Sequence, residues 1–237
     1  MFERLQPAGE PVAAVDILRE AALGDRAPDA RPYVFFNFVS TLDGRAALDG
    51  STRPLGGPAD LEMLLSLRAI ADAVLIGPGT VRAEGYGRLV GPQRRADVPP
   101  AVLISRRFDI PWDAGLFQAA DQPVIVYGPA DAAEPPEVAA PLEVVRLDPC
   151  TPEAALVDLR SRGIRALLSE GGPTLFHGCL EAGYVDELFF TLTPVITGDE
   201  AETAIVSGAR LPDTARMTLQ WMLRAEDELF LRYAMVR

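Results

Sequence analysis

Short apolar runs alternate with amphipathic stretches along most of this chain, and the alternation predicts an α/β fold. Tyr33-Val34-Phe35-Phe36-Asn37-Phe38-Val39 is a nearly continuous apolar run rich in β-formers. That is how a strand covered on both faces reads. Ser40-Thr41-Leu42-Asp43-Gly44-Arg45 then breaks the run with turn residues. Residues 58–70 read as a helix with Leu61, Leu64, Leu65 and Ile70 on one stripe. Residues 71–77 follow as a short buried strand. Further strands are predicted at 101–105, 123–127, 142–147, 165–169 and 187–193. Helices are predicted at 130–139, 152–162 and 173–183. Strand–helix alternation implies parallel crossovers, with helices on the faces of a sheet. The chain ends differently. Residues 217–223 and 228–236 are β-like, and Thr218, Gln220 and Met222 alternate with Leu219, Trp221 and Leu223. This predicts an antiparallel hairpin on the edge of a mostly parallel sheet. Residues 1–31 read as a partly ordered lead-in with one short helix around 15–22. Residues 32–237 read as one domain, with 92–100 and 132–141 as Pro-rich connections too short to divide it.

Composition narrows the function. The net charge is −12, and Arg supplies every side-chain cation because the 237 residues include no Lys. An acidic surface argues against nucleic acid or an anionic membrane as the main partner. Without Lys there is no Schiff-base chemistry and no Walker phosphate loop. Two Cys and one His cannot complete a four-ligand zinc site. No signal peptide and no spanning apolar run is recognised, so a cytoplasmic protein is expected.

Three constellations stand out. In the first, strand 165–169 runs into Glu170-Gly171-Gly172-Pro173-Thr174-Leu175. Pro suits the first position of a helix, and the Gly pair lets backbone approach a ligand closely. Free N–H groups at a helix start form an anion site. Glu170, at the carboxyl end of the strand, would face the ligand crevice of an open α/β sheet. The plainer reading is a tight turn with a solvated acid. Gly77-Pro78-Gly79-Thr80-Val81-Arg82-Ala83-Glu84 repeats the logic without the full dinucleotide fingerprint, and Arg82 is either a phosphate partner or a surface residue. The third is Asn37 with the Asp43 turn. Asn37 needs a partner inside an apolar strand, and Asp43 either caps its own turn or meets a ligand. No nucleophile with an adjacent base is present, so chemistry carried by a cofactor, hydride transfer in particular, fits best.

Together these motifs carry a resemblance. Asn37 with 40–45, then 67–81, then 169–175, then Val185-Asp186-Glu187-Leu188, are similar in order and spacing to the reductase half of the bifunctional riboflavin-biosynthesis deaminase/reductase. The resemblance covers about 32–237. It implies the dihydrofolate-reductase-like fold, a central mostly parallel mixed sheet with flanking helices and a C-terminal antiparallel hairpin. It implies NADPH as hydride donor, a pyrimidinone ribosyl phosphate reduced to a ribityl chain, and a homodimer. By motif position the cofactor would contact Ser40, Gly77, Thr80, Val81, Glu84, Ser105, Gly171, Gly172, Pro173, Thr174 and Leu175. The substrate would face Asn37, Asp43, Leu55, Gly56, Arg88 and Glu170, with Asp43 or Glu170 assisting catalysis. The chain departs from the family after Gly56, where Gly57-Pro58-Ala59-Asp60 places an acid in the stretch that usually carries an Arg. A pterin reductase on the same fold and a non-catalytic nucleotide-binding module are the alternative readings.

Overall fold

A computed structural model describes residues 1–91, 98–199 and 203–236. The Pro-rich connection expected at 92–100 lies largely outside the described residues. Among the described residues eleven strands form, β1 to β11: Phe2–Gln6, Ala8–Val12, Tyr33–Ser40, Ala73–Leu75, Ala101–Ile104, Val124–Pro129, Leu142–Leu147, Ala166–Ser169, Glu187–Leu192, Met217–Ala225 and Glu228–Met235. The same described residues form six α-helices, α1 to α6: Ala14–Glu20, Pro58–Ile70, Pro78–Glu84, Gly115–Gln118, Pro152–Ser161 and Pro173–Glu181. The expected α/β class and mixed sheet with flanking helices are what the chain forms. Its contacts cluster into two compact units.

One unit comprises 22–33 and 68–171. Its strands run β8-β4-β5-β6-β7 and all pair in parallel. Ala73, Val74, Leu75, Ala101, Val102, Leu103, Leu167 and Leu168 are all buried, which is why these segments read as unbroken apolar runs. Thr151 caps α5 by accepting from the Ala154 N–H at 3.2 Å. The helix expected at 130–139 does not form; beyond the end of β6, residues 132–138 are irregular. Glu134-Pro135-Pro136 explains it, because each Pro lacks a donor and bars helical backbone at the residue before it.

The other unit comprises 1–21, 34–67 and 172–237. Its strand order is β2-β1-β10-β11-β9-β3, antiparallel except for the β3–β9 pair. Phe36 and Phe38 pack on Phe176 of α6 at ring separations of 4.6 and 5.0 Å. Two expectations are corrected here. The C-terminal hairpin is not at an edge, because β1 pairs with β10 and β2 lies outside β1. Pro7, Gly9 and Pro11 hide these two strands from a periodicity reading. Phe2 is nevertheless fully buried, edge-on to Phe230 at 4.9 Å. Helix α2 buries Met63, Ser66 and Leu67, while Leu61 is exposed. Apolar residues occur around the whole helix, so its phase is ambiguous in the sequence, and the buried face is rotated from the expected stripe.

Candidate active site

In the parallel unit, strand pairing brings three predicted segments side by side. Leu75 of β4 is in register with Ser169 of β8 and with Val102 of β5. Gly77, Ser105 and Glu170-Gly171 therefore leave the carboxyl ends of neighbouring strands, the usual ligand edge of a parallel sheet. The Glu170 N–H donates to the Leu75 carbonyl at 2.9 Å, which fixes the turn. Helix α3 starts at Gly77 with Pro78 in its first turn and no side-chain cap. Gly79 faces open space, Thr80 and Glu84 are half-buried, and Val81 is fully buried. Val81 is thus a core residue beneath that turn. Ser105 is buried.

Glu170 is the centre of a cluster the sequence did not announce. Arg68, at the end of α2, donates through Nε and Nη2 to its two carboxylate oxygens, both at 2.6 Å. The Tyr86 hydroxyl donates to Oε2 at 2.8 Å. Arg68 Nη1 also donates to the Leu89 carbonyl at 2.8 Å, and its guanidinium lies 5.4 Å from the Tyr86 ring centroid. The Arg68 and Glu170 side chains are 11% and 5% exposed, so the pair is removed from water. Burial pushes the Tyr86 hydroxyl well above its ordinary range, reinforced by the Glu170 charge. The Glu170 carboxylate is therefore held as an acceptor by three donors, rather than standing free in a crevice. Arg88 donates to Asp121 at 2.8 Å while its Nη1 has no partner among the described residues, and Arg82 pairs with Asp109 at the surface.

The other unit carries the Asp43 turn. Asp43 accepts from the Thr41 hydroxyl at 2.6 Å, from Thr197 through its N–H and its hydroxyl, and from the Gly198 N–H at 2.8 Å. These donors, the Thr41 hydroxyl foremost, hold its carboxyl well below the usual carboxylate range. β3 and β9 run parallel with Ser40 opposite Leu192, which brings 193–198 beside 40–45. The Ser40 hydroxyl donates to the Thr41 carbonyl. Asn37 is half-buried in β3. Helix α6 begins at Gly172 with Pro173 in its first turn and no side-chain cap, leaving Thr174 exposed and Leu175 half-buried. His177 and Cys179 are buried on that helix, His177 Nε2 lying 2.6 Å from the Ala209 carbonyl. That supports the reading of two ordinary helix residues. Among the described residues no group of His, Cys, Asp and Glu fits a metal.

Leu55 is buried, and Gly56 lies against the Asp60 carboxylate, which a Cβ at Gly56 would overlap. The Gly57 N–H donates to Glu228 at 2.8 Å. Burial raises the Asp60 carboxyl to about 6, with the nearby Glu228 charge adding to the rise and the Thr191 hydroxyl opposing it. Asp60 Oδ1 has no partner among the described residues. The residues missed were those acting through a predicted one: Arg68 and Tyr86 through Glu170, Thr197 and Gly198 through Asp43, Thr191 and Glu228 through Asp60. Only Arg68 left a trace, as the one cation of helix α2.

The model of the RibD C-terminal domain matches residues 32–229. The chain belongs to the RibD C-terminal domain family. A relative in this family, the 2,5-diamino-6-ribosylamino-4(3H)-pyrimidinone 5′-phosphate reductase of Methanothermobacter thermautotrophicus, is 29% identical over 213 residues, covering 86% of this chain and 98% of that protein. The riboflavin biosynthesis protein RibD of Mycobacterium tuberculosis is 29% identical over 205 residues, covering 82% of this chain and 53% of RibD, so the chain spans about half of that longer relative. Among solved structures, a pyrimidine reductase-like protein from Corynebacterium diphtheriae superposes with a TM-score of 0.77 at 24% identity, covering 95% of this chain and all of that one. This last likeness supports the fold. RibD-type reductases imply a nicotinamide cofactor. No described helix is long and apolar enough to cross a membrane.

Proposed function

We propose that the chain is an NADPH-dependent reductase acting on 2,5-diamino-6-ribosylamino-4(3H)-pyrimidinone 5′-phosphate or its deaminated form, reducing the ribosyl group to a ribityl chain. One observation carries the reading: the chain spans 98% of a relative that bears the name of this reductase. The single family match over 32–229 supports 32–237 as one reductase domain. We further propose a cytoplasmic homodimer.

The residues fit a phosphate-bearing cofactor. Helices α3 and α6 both begin at a Gly without a side-chain cap, with Pro in the first turn, so their leading N–H groups remain for an anion. Open space at Gly79 leaves room for close approach. Gly77, Thr80, Glu84, Ser105 and Gly171, with Ser40 and 172–175, are the proposed cofactor contacts. When bound, the cofactor supplies a hydride. Asn37, Asp43, Leu55, Gly56, Arg88 and Glu170 are the proposed substrate contacts. Asp43 and Glu170 act as fixed hydrogen-bond acceptors for sugar hydroxyls, because donors already surround both carboxylates.

Following NADPH oxidation with the ribosylaminopyrimidinone phosphate tests the proposal, and turnover is expected. Turnover with dihydrofolate alone would replace it with a pterin reductase. Gly172→Asp is expected to weaken NADPH binding at least ~100-fold, since a carboxylate at the helix start repels phosphate. The check is quenching of intrinsic fluorescence, and unchanged affinity would move the phosphates elsewhere. Tyr86→Phe removes one of the donors to Glu170 and should lower kcat/KM about tenfold with little change in NADPH affinity. If Tyr86 acts through Glu170, the double variant Tyr86→Phe with Glu170→Gln loses no more kcat/KM than Glu170→Gln alone; a double loss equal to the sum of the two single losses would refute that route.

A further inference from the structure

Two consecutive glycines in the turn before α2 each lie against a carboxylate. A Cβ at Gly56 would stand 2.1 Å from Asp60 Oδ2, and one at Gly57 would stand 3.2 Å from Glu228 Oε2. Asp60 is in the first turn of α2, and Glu228 opens β11. The Leu55 N–H closes the turn by donating to the Thr52 carbonyl at 2.9 Å, and Leu55 is buried. Neither acid is a proposed cofactor or substrate contact, but Leu55 and Gly56 are.

The two acids are not equivalent. Glu228 accepts from the Gly57 N–H at 2.8 Å, so it takes a donor at the start of α2. Asp60 Oδ1 is buried and has no partner among the described residues. Among those residues the Thr191 hydroxyl of β9 is the polar group that bonds Asp60, and Glu228 is the charged group that acts on it. A buried carboxyl oxygen without a donor, beside a second carboxylate, suits the neutral acid. Asp60 is thus the member of the pair that carries a proton, and it gives that proton up at about pH 6.

Ionisation has a mechanical consequence. Once charged, the Asp60 carboxylate gains by moving away from Glu228 or by admitting water. Either movement passes to Gly56, whose packing on Asp60 leaves no room even for a Cβ. We propose that Asp60 is a positioning residue for the substrate: as the neutral acid it seats the turn 55–57 on β9 and β11, and its ionisation beside Glu228 loosens that turn and weakens substrate binding. This role rests on the proposed reading in which Leu55 and Gly56 face the substrate.

The experiment compares wild type with Asp60→Asn at about pH 5 and about pH 8. KM for the ribosylaminopyrimidinone phosphate is expected to agree within about twofold at the lower pH and to be about fivefold higher in wild type at the upper one. Ionisation of the substrate phosphate is common to both proteins and cancels in the ratio. The ratios of kcat and of NADPH affinity should not follow pH, because Asp60 acts through the turn and not on the reacting atoms. A KM ratio that is the same at both pH values overturns the proposal, as does a kcat ratio that follows pH. Amide hydrogen exchange of Gly57 reads the turn without turnover. Its protection in wild type relative to Asp60→Asn is expected to fall ~10-fold from the lower to the upper pH. A constant ratio overturns the proposal, and so does a fall matched at Phe36 of β3, which would report unfolding of the sheet instead. A fall confined to Gly57 in a protein that does not turn over this substrate would support the hold of Asp60 on the turn and reject the substrate, so the two failures are told apart.

Discussion

Arg68→Met is expected to destabilise the protein by about 3–5 kcal/mol, because it strands a carboxylate that the fold has already taken out of water. Glu170 is 8% exposed and its bidentate partner is Arg68. Without the guanidinium, the Tyr86 hydroxyl is the side-chain donor left to it among the described residues. The buried carboxylate must then draw water inward. In a chain of this size the loss corresponds to a fall in Tm of roughly 6–20 °C. The paired variant separates causes. Arg68→Met with Glu170→Leu removes both charges, and much of the stability should return, since a buried ion pair replaced by apolar groups is often near neutral. Denaturant unfolding of the two variants provides the check. A double variant as unstable as the sum of its parts would mean that packing around α2, not the stranded charge, governs the effect. The double variant should remain inactive, because stability and the proposed acceptor role then part company.

The second large effect concerns Asp60. Its carboxyl titrates at about 6 in the folded protein, against an ordinary 3.8, chiefly because burial disfavours the charge. The folded state holds this proton more tightly than the unfolded chain, so the stability gained is complete below about pH 4. It is lost as pH rises through about 6. The span corresponds to about 3 kcal/mol, which the ionised form forgoes at pH 8. Asp60→Asn keeps the shape, can still accept from Thr191, and carries no charge beside Glu228. It should raise the unfolding free energy at pH 8 by up to about 3 kcal/mol, with the gain fading as pH falls below about 6 and gone below about 4. Unfolding curves at about pH 4, 6 and 8 test this, and a gain independent of pH would exclude titration of Asp60 as its source.

How far the fold is legible in the sequence depends on how each element is stabilised. Strands β3, β4, β5 and β8 are legible because both faces are covered and their apolar runs are nearly unbroken. The helix at 130–139 fails because two consecutive Pro residues outweigh the helix-forming Ala and Glu around them. The first two strands are invisible because Pro7, Gly9 and Pro11 erase alternation, and β1 pairs with β10 at the far end of the chain. In the site, backbone features are legible: Gly at the start of a helix, Pro in its first turn, an acid before a Gly pair. What those acids touch is not. Arg68 and Glu170 are 102 positions apart, and Asp43 meets Gly198 across 155. Only the topology makes such neighbours.

That topology also bears on synthesis at the ribosome. Glu3 of β1 is in register with Arg224 of β10, so β1 must wait for a strand made 221 positions later. Most of the parallel unit, by contrast, lies in the continuous stretch 68–171 and can consolidate while the tail is still being added. Phe2 meets Phe230 only at the end of that process. A nascent chain paused before residue 217 would therefore display β1 still lacking its β10 partner, giving chaperones and proteases a brief window at that strand.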